Sequence, residues 1–200
     1  MLYEGVKAGD LLAVSGKGFV ANTVQAATLS LPNIGPLGRW GWAGASHVAI
    51  AVPVFDELLA YESTSFNRPR CVRTNRDNPK GVQAHYIQDI VEAGGDVWHY
   101  PLRRPLYLHE EDRLLMFAEQ ALGRGYDFIG ATRASGGILM RLLQRAKGSE
   151  DTGLMYCSEL ALWLWCMVGV ARTKHAGMSP NYLIRWAIAS GILSRGRRLT

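Results

Sequence analysis

The chain has 200 residues, of which 48% are hydrophobic and 20% charged, a balance that suits one domain spanning 1–200 with a sizeable core rather than two small ones. Its formal charge of +5 is spread along the chain, with a local excess only at Arg195, Arg197 and Arg198, so charge selects no partner and nucleic acid is not expected. Met1 to Asp10 carries Glu4, Lys7 and Asp10 without an apolar core, which predicts neither a secretory signal nor a membrane anchor there.

The expected location is therefore cytoplasmic as synthesised, with a phage source or a non-classical delivery route left open. Leu160 to Val170 is the most apolar stretch and spans about half of the roughly 20 residues that a transmembrane helix needs. It reads as a core helix. Cys71, Cys157 and Cys166 leave at least one thiol unpaired, and their spacing from one another and from the histidines matches no metal pattern. Neither a metal nor a cofactor is implied.

Gly9-Asp10 reads as a turn into a short buried strand, Leu11 to Val14, ended by Gly16 and Gly18. Phe19 to Leu29 has a helical composition. The segment 31–44 is a loop dominated by Pro, Gly and Trp, with Trp40 and Trp42 placed either to line a cleft or to cap the core. Ser46 to Val54 is a β-favouring run, and Leu58 to Glu62 is its antiparallel partner across Phe55-Asp56-Glu57. The Arg-rich segment 67–81 reads as an exposed excursion around a short strand at Cys71 to Arg73.

Val97 to Tyr100 is a further strand, stopped by Pro101. Glu110 to Leu122 is a helix with acidic residues in its first turn and Gly123 after its last apolar position. Ile138 to Lys147 and Tyr156 to Val168 follow as helices, and Ser179-Pro180 caps a last one that Gly191 closes. Strands fall mostly early and helices mostly late, so the predicted class is α+β with an antiparallel sheet packed against helices.

Cys157 stands at the start of a helix, where unpaired N–H groups and the helix dipole favour a thiolate and are available to an oxyanion. Cys166, nine residues on, falls on the opposite side of that helix. It and Cys71 read as small buried hydrophobes. Of the five histidines, His47 is the one placed for a base, at the head of a strand beside the Trp-rich loop. An ordinary strand histidine bonded to backbone is the competing reading. Glu62, on the partner strand, can accept the imidazole N–H and fix its tautomer, although a surface charge is the usual role of such a residue. His85, His109 and His175 sit in polar contexts that predict solvated side chains.

In order along the chain, Gly9-Asp10-Leu11-Leu12, Ser46-His47-Val48-Ala49-Ile50, Tyr61-Glu62-Ser63, Gly125-Tyr126-Asp127-Phe128 and Tyr156-Cys157-Ser158-Glu159-Leu160 resemble the blocks of the YiiX/YaeF-like permuted papain-fold amidases. That family is related to the NlpC-type peptidoglycan peptidases and to lecithin-retinol acyltransferase. The resemblance spans residues 9 to 168 and implies a circularly permuted papain-like fold with Cys157 as nucleophile, His47 as base and Glu62 as orienting residue. It also implies that Tyr126 lies near the site. Trp42 and Ser158 are further candidates for substrate binding or support.

The activity so implied is hydrolysis or acyl transfer at an amide or ester bond of a peptide, a cell-wall fragment or a lipid. The alternative is a non-catalytic lipid- or glycan-binding module, with Trp40, Trp42 and the Arg70 to Arg76 region as its surface and a vestigial cleft.

Overall fold

The computed structural model describes residues 3–15, 44–65, 70–77, 80–93, 95–127, 131, 154–173 and 177–199. The helices expected at 19–29 and 138–147, together with Trp40 and Trp42, lie outside them.

Near-continuous apolar runs, buried on both faces, build the centre of the sheet. Leu11–Ser15 (β1), His47–Val54 (β2), Glu57–Thr64 (β3), Gly81–Tyr86 (β4), Asp96–Tyr100 (β5) and Arg197–Arg198 (β6) form one six-stranded sheet in the order β4-β3-β2-β1-β5-β6. Every neighbouring pair is antiparallel. Four helices complete the elements among the described residues: Ile87–Glu92 (α1), Leu108–Ala121 (α2), Cys157–Met167 (α3) and Pro180–Ala189 (α4). The class is α+β, as the sequence predicts.

The two faces of the sheet differ in the size of what they carry. Val48, Ile50, Val52, Leu59 and Tyr61 meet Leu114 and Ala118 of α2 and Leu160, Leu164 and Trp165 of α3 in the larger cluster. The opposite face offers Ala49, Ala51 and Ala60 with Leu12, Val14 and Val97, closed by Ile87 and Ile90 of α1. Bulk on one side and alanine on the other leave room for polar side chains among the small residues.

Helix boundaries follow their capping chemistry. Helix α2 begins two residues before the expected Glu110 because the Glu110 carboxylate accepts the Tyr107 N–H at 2.8 Å and a bidentate pair of bonds from Arg104 at 2.7 and 2.8 Å. Ser179 caps α4 by accepting the Tyr182 N–H at 3.3 Å.

One expectation in the Arg-rich segment needs correction. Cys71 to Arg73 leads into a turn and is not a strand, while Cys71 is fully buried as expected, its sulfur accepting the Ala84 N–H at 3.4 Å. The strand of this region is β4, whose Val82 and Ala84 alternate with Gln83 and His85. The turn is held because Val72 donates its N–H to Ala84 at 2.9 Å.

The first block of the sequence is a structural tie. Gly9 has φ +84° and no room for a side chain, since a Cβ would lie 2.6 Å from Leu102. Its carbonyl accepts the Trp165 indole N–H at 2.9 Å. Beside it, the Asp10 carboxylate receives Lys7 N–H at 2.9 Å, Leu102 N–H at 2.8 Å and His99 Nε2 at 2.6 Å. Asp10 thus joins the N-terminal turn to β5 and the segment after it. Replacing Asp10 by Ala strands three donors, and a loss of roughly 3–5 kcal/mol of stability is expected from urea unfolding.

Candidate active site

The head of α3 is fixed from three sides. Tyr156 is extended and the helix starts at Cys157. Just before it, Met155 donates its N–H to Gly125 at 3.0 Å, while its carbonyl accepts the Ser63 hydroxyl at 2.5 Å and the Asp127 N–H at 3.2 Å. Tyr126 and Met155 form a short parallel bridge. The segment 125–127 is therefore the clamp that seats the helix against β3. Ser158, fully buried, donates its hydroxyl to the Met178 carbonyl at 2.6 Å. It anchors the helix to the segment before α4, which places it as a supporting residue.

The Cys157 sulfur meets the first residues of β2. It accepts backbone N–H groups from Val48 and Ser158 and carries a hydrogen bond with the His47 imidazole. His47 Nε2 lies 2.5 Å from Glu62 Oε2, and both side chains are buried, Glu62 with no exposure at all. Since Nε2 is committed to Glu62, Nδ1 is the nitrogen left for sulfur. The three residues named from sequence thus come together, and the carboxylate is not the surface charge that such residues usually are.

Electrostatics favour the charged pair. Burial alone disfavours imidazolium, but the Cys157 thiolate and the Glu62 carboxylate outweigh it and raise His47 to about 9. Burial likewise pushes the Cys157 thiol up, yet the His47 cation and the two backbone N–H groups prevail and hold it below its ordinary value. Tyr126, half-buried, has its phenol raised by burial and then by the charges of Cys157 and Asp127, so it stays protonated beside the sulfur. Its expected nearness to the site agrees with this coupling.

Trp42 lies outside the described residues. Arg70 pairs with Asp77 at 3.3 Å and Arg73 with Glu119 at 2.7 Å, so these two cations of the Arg-rich segment already have anionic partners. Cys166 is half-buried at the edge of the core, its thiol facing the Thr173 carbonyl at 3.7 Å, rather than within the core as expected. His85, expected to be solvated, is fully buried on β4, with Nε2 3.6 Å from Glu62 Oε1. The signal that finds it is the alternation of Val82, Ala84 and Tyr86 with Gln83 and His85, which marks a strand with one polar face.

An α+β fold with an antiparallel sheet and a buried cysteine, histidine and glutamate at the head of one helix defines the kind of molecule. The crystal structure of the metalloprotein YiiX from Escherichia coli O157:H7 shares this fold, with a TM-score of 0.58 and 12% identity over 97% of this chain and 96% of that one. No protein-family model matches the chain, and no curated protein matches it in sequence. The fold is YiiX-like.

The sign of the pH effect follows from the two shifts. His47 binds its proton more tightly when folded, so its contribution is complete below the unfolded value of about 6.5 and is lost as pH rises through about 9. Cys157 contributes above its unfolded value, and that contribution is lost as pH falls through its lowered folded value. Iodoacetamide is therefore expected to alkylate Cys157 far faster than Cys166 at pH 6. His47→Ala should return the Cys157 profile to that of an ordinary thiol, near pH 8.5; intact-mass kinetics check both.

Proposed function

We propose that the chain is a cysteine-nucleophile hydrolase or acyltransferase, a single domain in a circularly permuted papain-like arrangement. Its bond is an amide or ester in a peptide, a cell-wall fragment or a lipid. The observation that carries this reading is the buried Cys157, His47 and Glu62 cluster, with His47 Nε2 2.5 Å from Glu62. The order of elements supports the permutation, since the strands bearing His47 and Glu62 precede the helix headed by Cys157.

In this reading the Cys157 thiolate attacks the carbonyl carbon, and the carbonyl π electrons move to oxygen. Backbone N–H groups at the head of α3 are suited to receive that oxyanion. As the carbonyl re-forms, the bond to the leaving amine or alcohol breaks, and the His47 imidazolium gives that group its proton. A thioester remains on Cys157. Neutral His47 then takes a proton from water or another acceptor, which attacks the thioester and releases the thiolate. Glu62 holds the ring tautomer and stabilises the imidazolium throughout.

YiiX is a metalloprotein, and the described residues of this chain do not reproduce a metal site. Among the described residues no group of three or more His, Cys, Asp or Glu side chains is arranged to hold an ion. The 2.5 Å contact between His47 and Glu62 is a direct hydrogen bond, too short to admit a metal between two atoms that would each stand about 2 Å from it.

Incubation with peptide, cell-wall and lipid substrate pools followed by mass spectrometry should find an acyl adduct on Cys157. Cys157→Ala should remove the adduct and lower turnover by at least about 10³-fold, while Cys166→Ala should leave both unchanged. An adduct that persists in Cys157→Ala would refute the assignment. Glu62→Gln keeps the shape but removes the charge, and kcat should fall roughly 100-fold or more with little change in KM.

A further inference from the structure

Strands β3 and β4 pair in a register that sets Glu62 opposite Gln83 and Ala60 opposite His85. Side chains on directly opposed residues share a face, and the period of two puts all four on the same one. It is the face whose apolar members around them are alanines, Ala49, Ala51 and Ala60. Glu62, Gln83 and His85 are fully buried there.

The two oxygens of Glu62 have different neighbours. Oε2 is held by His47 at 2.5 Å, whereas Oε1 faces His85 Nε2 at 3.6 Å. Both amide atoms of Gln83 meet no hydrogen-bond partner among the described residues, and its Cβ stands about 5 Å from that of Glu62. A polar second row is thus packed against the oxygen that the proposed base does not use. Burial of such groups away from water is costly, so a purely structural β4 would be better served by apolar residues.

We propose that His85, assisted by Gln83, is a positioning residue that fixes the Glu62 carboxylate from behind, so that Oε2 stays aimed at His47. The inference rests on the reading of Cys157, His47 and Glu62 as the reacting set. Without the second row the carboxylate turns away from the ring, imidazolium loses its support and the Cys157 thiolate is less favoured. A misplacement of this kind costs roughly 10- to 100-fold in rate.

The test is the pH profile of iodoacetamide alkylation at Cys157, read by mass spectrometry with Cys166 as internal reference. His85→Leu should slow alkylation at pH 6 by roughly tenfold and move the low-pH limb upward by about one unit, with rates converging near pH 9. His85→Gln, which keeps a buried donor, should restore most of the wild-type rate, a rescue that lost packing alone does not give. Gln83→Leu should shift the limb in the same direction and serves as the probe should His85→Leu fail to fold. Profiles of His85→Leu and Gln83→Leu that superimpose on wild type, or His85→Gln as slow as His85→Leu, would overturn the inference alone. Wild-type Cys157 no faster than Cys166 at pH 6 would overturn the enzyme reading and this inference with it.

Discussion

A carboxylate with no exposure to water, 2.5 Å from an equally buried imidazole, constrains everything around it. Neither group is tolerable alone in that interior, because an isolated buried charge costs several kcal/mol. The contact therefore fixes the pairing of β2 with β3. A one-residue slip would send either His47 or Glu62 to the opposite face, among the large side chains that pack on α2 and α3. The hairpin register and the site are one requirement.

The second half of the geometry comes from the end of a helix. Cys157 reaches the His47 imidazole because Met155 is bonded to Gly125, Asp127 and Ser63, and Ser158 to Met178, so the first turn of α3 cannot drift from the strands. The residues flanking the thiol are scaffolding. That division separates the groups with reactive chemistry from the larger number that hold them within hydrogen-bond range.

Much of this was legible in the sequence, for identifiable reasons. The β2–β3 hairpin, α2, α3 and the cap of α4 carry strong local signals, namely a continuous β-favouring run, an acidic first turn and Ser179-Pro180 before a helix. Cys157 and His47 were nameable because each heads its element, and Glu62 because it lies on the strand paired with that of His47. Strand β4 was not, because Gln83 and His85 lend it the composition of a polar loop, and its alternation with Val82 and Ala84 is a short signal that its pairing with β3 makes plain. Strand β6 is two arginines long and owes its existence to β5, beyond the reach of any local pattern. Ser158 was named only as a residue of substrate binding or support, because a hydroxyl beside Cys157 looks the same in sequence whether it faces a cleft or a carbonyl twenty residues away.

The bond from Trp165 to the carbonyl of Gly9 spans 156 positions of the chain. During synthesis from the N-terminus, β1, β2 and β3 emerge well before the helix that covers them, and closing so long a loop is entropically slow. The hairpin with His47 and Glu62 thus leaves the ribosome without its thiol partner, and for that interval two buried-to-be polar groups face solvent. Cys157 meets His47 only when the late helix docks, so the order of the elements itself delays assembly of the cluster until the strands of the hairpin are in place.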